Sequence, residues 1–162
     1  MGIRIPGFDD ERIAVGDVRL NVATAGSGPP IVLLHGFPQT HLAWRHVATD
    51  LAPDHQVVCP DLRGYGDSDK PADERDGRTY AKRTMAEDIV ELMRSLGHSR
   101  FALAGHDRGG LVSGRTRARC SCRSIRRRSG PSGPPTCALP PWNAVISCRR
   151  KSPAQSSRHY GS

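Results

Sequence analysis

Short apolar runs alternate with amphipathic segments along the N-terminal part of the chain. Residues 12–15 and 18–23 alternate apolar and polar positions on either side of a Gly-Asp turn. This pattern predicts an antiparallel hairpin at the edge of a sheet. Three later runs are almost entirely apolar, as expected for strands that are buried on both faces. They comprise residues 31–34, Gln56–Pro60 and residues 101–104.

Two further segments carry apolar residues at helical spacing. The first covers residues 42–52. In the second, Thr84 and Glu87 match a capping box at the helix N-terminus. The apolar stripe that follows ends at Gly97, and a glycine in the left-handed backbone conformation commonly ends a helix. Because strands alternate with helices, the pattern predicts an α/β fold. Its sheet should be mostly parallel, begin antiparallel and be covered by helices on both faces.

The net charge of +8 averages two unlike parts of the chain. Residues 1–107 hold all 16 acidic residues and carry a net charge of −4, whereas residues 108–162 carry +12. We therefore divide the chain into a core, residues 1–116, and a basic low-complexity tail, residues 117–162, which we expect to be disordered. Because the acidic residues vanish abruptly, we interpret the tail as out-of-frame translation that begins near Thr116. Sequencing the DNA across that codon tests this interpretation.

Other roles for the tail find less support in its composition. Its charge would suit a nucleic-acid-binding arm, but aromatic residues are nearly absent from it. A cysteine-based metal site would need paired C-x-x-C spacing, which the tail cysteines lack. These cysteines are Cys120, Cys122, Cys137 and Cys148.

Partners and compartment are predicted from the rest of the sequence. No apolar run is long enough to span a bilayer, and no apolar stretch follows the first charges, so we expect a cytoplasmic protein. His35, His41 and His46 do not share a helix face, which argues against a metal site. We expect a small-molecule substrate, no membrane or nucleic-acid partner, and neither metal nor cofactor. The oligomeric state stays open.

A candidate nucleophile follows the last apolar run, at residues 101–104. Gly105 and Gly109 lie two positions on either side of Asp107, which allows a sharp strand-to-helix turn that exposes the carboxylate. A carboxylate is already an anion at neutral pH and needs no base to act as a nucleophile. Taken alone, a glycine-flanked Asp such as Asp107 is more often a plain turn residue. The strand that ends at His35 should lie beside it, at the carboxyl edge of the sheet.

Four motifs together carry a resemblance to a known family. They are Leu-Leu-His-Gly-Phe-Pro at residues 33–38, Asp-Leu-Arg-Gly-Tyr-Gly-Asp-Ser at residues 61–68, the helix-leading segment 80–88 and Gly-His-Asp-Arg-Gly-Gly at residues 105–110. On these motifs, the core resembles the N-terminal half of an α/β-hydrolase. The group within that family is that of the haloacetate (fluoroacetate) dehalogenases and epoxide hydrolases.

The resemblance implies a mechanism and a set of site residues. Asp107 would attack a carbon that bears a halogen or belongs to an epoxide, and a histidine-activated water would hydrolyse the resulting ester. The backbone N–H groups of Phe37 and Arg108 match the family's oxyanion hole. Arg108, His35 and His106 are the implied substrate-binding residues.

Arg108 favours the dehalogenase chemistry over the epoxide hydrolase chemistry. Similar haloacetate dehalogenases carry Arg directly after the nucleophile, where it can pair with the substrate carboxylate, and similar epoxide hydrolases more often carry Trp. The dehalogenase pattern also has a second Arg four positions after the Asp, where this chain has Leu111. The function expected from the resemblance is therefore haloacetate dehalogenase-like hydrolysis, with epoxide hydrolysis as the alternative.

The resemblance ends near Thr116. The family would continue with another strand, a helical cap, a late carboxylate and a late catalytic histidine, but no acid follows Asp107, and His159 is the single later histidine. The chain is therefore expected to be inactive as a truncated enzyme, or to be a non-catalytic fragment. With no later strand visible, the strand that leads to Asp107 should be left with an open edge.

Overall fold

A mixed β-sheet forms the centre of the computed structural model, which describes residues 3–73, 77–119, 121–124 and 146–149. The strands within these ranges are β1 (Asp9–Val15), β2 (Val18–Ala25), β3 (Pro30–Leu34), β4 (Gln56–Pro60), β5 (Arg100–Gly105), β6 (Ser121–Ser124) and β7 (Ile146–Arg149). The helices are a 3-10 helix (His41–Trp44), α1 (Arg45–Leu51), α2 (Lys82–Ser95) and α3 (Arg108–Arg119). In space the strands follow the order β1-β2-β4-β3-β5-β7-β6.

The sheet begins antiparallel and becomes parallel at its centre, as the sequence predicts. β1 and β2 form the predicted hairpin, in which Val15 faces Val18 next to the turn. β2 pairs antiparallel with β4, and β3 lies parallel to both β4 and β5. β5, β7 and β6 pair antiparallel again. The sheet is therefore mixed, and the parallel part is confined to three of the described strands.

The described part of the tail holds the end of a helix and two short strands. Helix α3 continues to Arg119, and residues 121–124 and 146–149 form strands. β7 pairs with β5, so the predicted open edge is covered. The physical reason is that an edge strand presents unpaired N–H and C=O groups, which a segment can satisfy through its backbone without an apolar pattern.

The rest of the tail lies outside the described residues. This includes Cys120, Cys137 and His159. The division of the chain after residue 116 and the out-of-frame origin of the tail therefore stay predictions.

Two apolar layers cover the two faces of the sheet, as predicted. Successive residues of a strand point to opposite faces, so Val32 and Leu34 pack with α2, whereas Ile31 and Leu33 pack with α1. The α2 layer also contains Met85, Ala86, Ile89, Leu92 and Met93, all buried. Among the described residues, no helix is long and apolar enough to cross a bilayer.

The start of α2 differs from the predicted capping box. The N-cap is Ala81, and Thr84 lies inside the first turn, where its hydroxyl donates to the carbonyl of Arg78 (2.8 Å). The Thr84 hydroxyl therefore bonds to the preceding loop instead of capping the N-terminus of the helix as the sequence pattern predicts. The predicted stop is confirmed, because Gly97 has a φ of 82° directly after the helix.

An ion-pair network around the buried Arg63 holds the loop after β4 in place. The guanidinium of Arg63, only 3% exposed, donates to both carboxylate oxygens of Asp88 in α2 (2.9 and 2.8 Å). It also donates to both oxygens of Asp17 in the hairpin turn (3.1 and 2.7 Å). Such planar, two-pronged pairs fix geometry strongly. The network therefore fastens this loop to the hairpin and to α2.

We expect Ile89→Ala to lower the free energy of unfolding by about 2–5 kcal/mol, because it removes buried methyl groups and leaves a cavity. Ile89 is fully buried (0% exposed) in the α2 layer, whereas Ile3 is 80% exposed. Ile3→Ala is therefore the matched control, with an expected change within about 0.5 kcal/mol. Urea unfolding of the three proteins measures both effects, and equal losses would contradict the packing described above.

Candidate active site

Asp107 lies at a sharp turn between β5 and α3. Its φ of 49° makes it the one non-glycine residue with a positive φ among those the structure describes. A Cβ on Gly105 would collide with the carbonyl oxygen of Gly109, and a Cβ on Gly109 would collide with that of Leu34. The turn therefore needs both glycines, as the sequence predicts. Backbone held in this region stores strain, and such strain concentrates at functional sites.

The carboxylate of Asp107 is exposed and is held by the loop that follows β3. The backbone N–H of Phe37 donates to its Oδ2 (2.9 Å) across a separation of 70 residues. The two loops meet because β3 and β5 are parallel neighbours, with Leu34 opposite Gly105. The predicted convergence of these two strand ends is thus confirmed.

Backbone donors control the charge of this carboxylate. The N–H of Phe37, followed by that of Arg108, holds the pKa of Asp107 below its ordinary value. Hydrogen bonds to the charged form favour ionisation. The arrangement therefore keeps an accessible anion at the carboxyl edge of the sheet, with its Oδ2 fixed by the amide of Phe37.

Arg108 lies against two aromatic rings beside this carboxylate. Its guanidinium carbon is 5.4 Å from the ring centroid of Phe37 and 5.9 Å from that of Tyr65. The two rings meet edge to face, with centroids 6.4 Å apart. A cation over aromatic faces gains electrostatic attraction and keeps its fork available for an anion. Sequence reasoning missed Tyr65, since nothing in its spacing relates it to Arg108.

His35 does not take the predicted substrate-binding role. The side chain is fully buried (0% exposed), its Nδ1–H donates to the carbonyl of Gly36 (2.8 Å) and its Nε2 accepts from the N–H of Leu62 (3.0 Å). Both ring nitrogens are therefore committed to backbone groups. Burial also lowers the pKa of His35, which keeps the ring neutral as these two bonds require. His35 is a structural support of the loop.

His106 is exposed, as a ligand-binding role requires. It lines a cavity of about 400 Å³ together with four residues from the loop after β3, the 3-10 helix and α1. These residues are Gln39, Ala43, Trp44 and Val47. Asp107 is not among the lining residues, so the cavity does not enclose the candidate nucleophile. His106, which does line the cavity, directly precedes Asp107 in the sequence.

An exposed apolar side chain lies one turn after Asp107. Leu111, whose N–H donates to the carbonyl of Asp107 (3.2 Å), is 61% exposed, and Phe37 is 62% exposed. Leu111 occupies the position where the dehalogenase pattern has its second Arg. The site therefore offers one guanidinium and two exposed apolar side chains to a ligand.

A buried carboxylate, Asp61, anchors the same region from below. Its Oδ1 accepts from both the backbone N–H (2.7 Å) and the ring Nδ1–H (2.9 Å) of His41. Its Oδ2 accepts from the side chain of Asn21 (3.1 Å) and the N–H of Asp67 (3.1 Å). Burial opposes ionisation of Asp61, but the hydrogen bonds from His41 and Asp67 outweigh burial and lower the pKa of Asp61 to about 2. Sequence reasoning missed this pair, because it tested His41 only as a metal ligand.

The described residues contain no group of three or more His, Cys, Asp or Glu side chains that could hold a metal ion. His46, the third histidine of that test, is exposed on α1. The two other histidines instead bond to the loop after β4.

Residues 29–116 match the model of the alpha/beta hydrolase fold family. A fluoroacetate dehalogenase from a Burkholderia species is 52% identical over 67% of this chain and 36% of its own length. A soluble epoxide hydrolase from Corynebacterium sp. (strain C12) is 48% identical over 61% of this chain and 33% of its own.

A solved structure is similar over the same part of the chain. The epoxide hydrolase VrEH1 from Vigna radiata superposes with a TM-score of 0.63 at 34% identity, covering 67% of this chain and 35% of its own. The chain thus spans about a third of the length of each of these relatives.

We expect Gly109→Ala to destabilise the protein by about 1–3 kcal/mol, because the added methyl group is forced against the carbonyl oxygen of Leu34. Gly114→Ala is the matched control in the same helix, where a Cβ meets nothing within 4 Å. That change should be neutral or stabilise the protein by up to about 1 kcal/mol, since alanine favours the helix. Urea unfolding compares the two, and a Gly109→Ala protein as stable as the Gly114→Ala protein would show that the turn at Asp107 tolerates a side chain.

Proposed function

This chain belongs to the α/β-hydrolase fold family, and on that premise we propose that Asp107 is the nucleophile of a hydrolase for small halogenated acids. In the proposed step, a carboxylate oxygen of Asp107 attacks the halogen-bearing carbon. A carbon–oxygen bond forms, the carbon–halogen bond breaks, and the halide leaves with the bonding electrons. The product on the protein is an alkyl ester of Asp107.

One observation carries this proposal, namely the exposed Asp107 carboxylate with its Oδ2 held by Phe37 (2.9 Å). Fixing Oδ2 leaves Oδ1 as the oxygen for attack. When a later water attacks the ester, negative charge develops on the oxygen that the Phe37 N–H already faces. A fixed donor of this kind contributes about 3–4 kcal/mol to lowering such a barrier. The backbone N–H of Arg108, which also favours the charged carboxylate, is the proposed second donor.

Arg108 supports a substrate that carries its own carboxylate. Its guanidinium lies over Phe37 and Tyr65, next to the proposed nucleophile, and a guanidinium binds a carboxylate through two parallel hydrogen bonds. The fluoroacetate dehalogenase that the chain resembles bears a name of the same chemistry. We therefore propose a haloacetate as the substrate class.

Epoxide hydrolysis is the second candidate, and Leu111 favours it. The exposed leucine replaces the second Arg of the dehalogenase pattern, so the carboxylate clamp is reduced and the surface beside Asp107 is more apolar. Two of the similar proteins bear the name epoxide hydrolase. In the same Asp107 attack on an epoxide carbon, the ester bond would form as the carbon–oxygen bond of the ring breaks, and the alkoxide that leaves would take a proton from water to give a hydroxyalkyl ester.

The second half of either reaction needs a base for water and a carboxylate to orient that base. Residues 108–162 contain no Asp or Glu, and their single histidine, His159, lies outside the described residues. The proposal for this chain is therefore ester formation without rapid hydrolysis. A non-catalytic role remains the third hypothesis, and the same experiment separates all three.

Incubation with a haloacetate should give a covalent ester on Asp107, because the expected first step needs only the carboxylate and its donors. Intact-protein mass spectrometry with peptide mapping detects the ester, and halide release should match it at one per chain. Asp107→Asn is the control, since the neutral amide is a poor nucleophile. An adduct formed only with an epoxide would identify the second candidate, and no adduct with either reagent would leave the non-catalytic role.

Arg108→Gln should slow ester formation with haloacetate by about tenfold or more, because it removes a charge-assisted hydrogen bond to the substrate carboxylate. Capture of the uncharged haloacetamide should change much less. Arg115→Gln, on an exposed position of the same helix, controls for the loss of one positive charge. Equal slowing for both reagents would assign Arg108 a structural role.

A further inference from the structure

The loop that carries the Phe37 donor is attached at both of its ends, through a histidine, to the segment that follows β4. At one end, Nε2 of His35 accepts from the N–H of Leu62 (3.0 Å). At the other end, His41 donates twice to Oδ1 of Asp61 (2.7 and 2.9 Å). Asp61 and Leu62 are consecutive residues that leave β4, so both attachments reach the same short segment of backbone.

We propose that His41 and Asp61 form a positioning pair that places the N–H of Phe37 against the carboxylate of Asp107. Neither side chain touches Asp107, so both act through the loop. The consequence for ester formation rests on the proposed function, whereas the effect on the Asp107 carboxylate does not.

The pair is rigid because Asp61 is itself fully engaged. The side chain is 1% exposed, and its second oxygen accepts from Asn21 in β2 and from the N–H of Asp67. The carboxylate also fills the space beside Gly66, where an added Cβ would collide with it. A displacement of His41 therefore has to break hydrogen bonds to a carboxylate that cannot follow it. Leaving such a buried charge unpaired is strongly unfavourable.

Only one edge of the His41 ring contributes to the attachment. The side chain is 4% exposed, and its Nε2 is buried without a hydrogen-bond partner among the described residues. The Nδ1–H bond is therefore the ring's specific contribution. An asparagine at this position can present its amide N–H in place of Nδ1–H, whereas a leucine keeps the approximate volume but donates nothing.

The two histidines at the ends of the loop have pKa values shifted in opposite directions, raised for His41 and lowered for His35. Burial disfavours a charged His41 ring, but the hydrogen bond and charge of Asp61, with Asp10 and Asp67 further away, outweigh burial and raise its pKa. Burial lowers the pKa of His35, which also faces Asp61 and His41. The contribution of His41 to the free energy of unfolding is complete below its unfolded pKa of 6.5 and is lost as pH rises through its folded pKa. The contribution of His35 to the free energy of unfolding is complete above its unfolded pKa of 6.5 and is lost as pH falls through its lower folded pKa.

The test measures the titration midpoint of the Asp107 carboxyl carbon by NMR in His41→Leu, His41→Asn and the unchanged protein. We expect His41→Leu to raise the midpoint by about half a unit to one unit, because a hydrogen bond that favours the charged carboxylate is weakened. His41→Asn should restore most of the original midpoint. His46→Leu, an exposed histidine on α1, is the matched control and should leave the midpoint unchanged. An unchanged midpoint in a folded His41→Leu protein overturns the proposal.

The unchanged protein gives a second test that does not require any variant to fold. Nitrogen NMR follows the His41 ring and the Phe37 amide as pH rises. The Phe37 amide signal should move with the same midpoint as His41, and an amide signal that is constant through the His41 titration overturns the proposal. The rate of ester capture separates this inference from the proposed function. If no ester forms but the Asp107 midpoint still responds to His41, the proposed function fails and the positioning pair stands.

Discussion

The hydrogen bond from the N–H of Phe37 to Oδ2 of Asp107 is the contact on which the site depends. It exists because β3 and β5 are parallel neighbours whose carboxyl ends reach the same edge of the sheet. Asp107 reaches it only through a backbone with a φ of 49°, which a relaxed turn would not hold. The apolar layers on both faces of β3 and β5 provide the rigid base that maintains this conformation.

Beneath that edge, buried polar groups replace apolar packing. His35, Asp61 and Arg63 each make at least two hydrogen bonds, and each bonds to a residue that is distant in the sequence. Buried groups of this kind contribute little net stability, but leaving one unsatisfied is costly, so they specify one loop arrangement over its neighbours. The three residues come from the ends of β3 and β4, and they support the segments that face Asp107.

The family and the chemistry have different supports. The match to the alpha/beta hydrolase fold over residues 29–116 establishes the family. The chemistry proposed for Asp107 comes from its exposure, its bound oxygen and the adjacent Arg108. The chain spans about a third of the length of each of these relatives, so the activity of the whole enzyme is a proposal, which these residues support for the step that forms a bond to the substrate.

Hydrophobic periodicity in the sequence was sufficient to determine the hairpin, the buried strands and the two-sided helix cover, because each depends on contacts that repeat along the chain. Two glycines at a fixed spacing were sufficient to determine the turn at Asp107. Tertiary structure alone decided the roles of His35 and Thr84, the pairing of β7 with β5, and the contact of Tyr65 with Arg108. It also brought His41 to Asp61 across 20 residues. A side-chain hydrogen bond of this kind leaves no period in the sequence, since its partners are chosen by which strand ends the folded sheet makes adjacent.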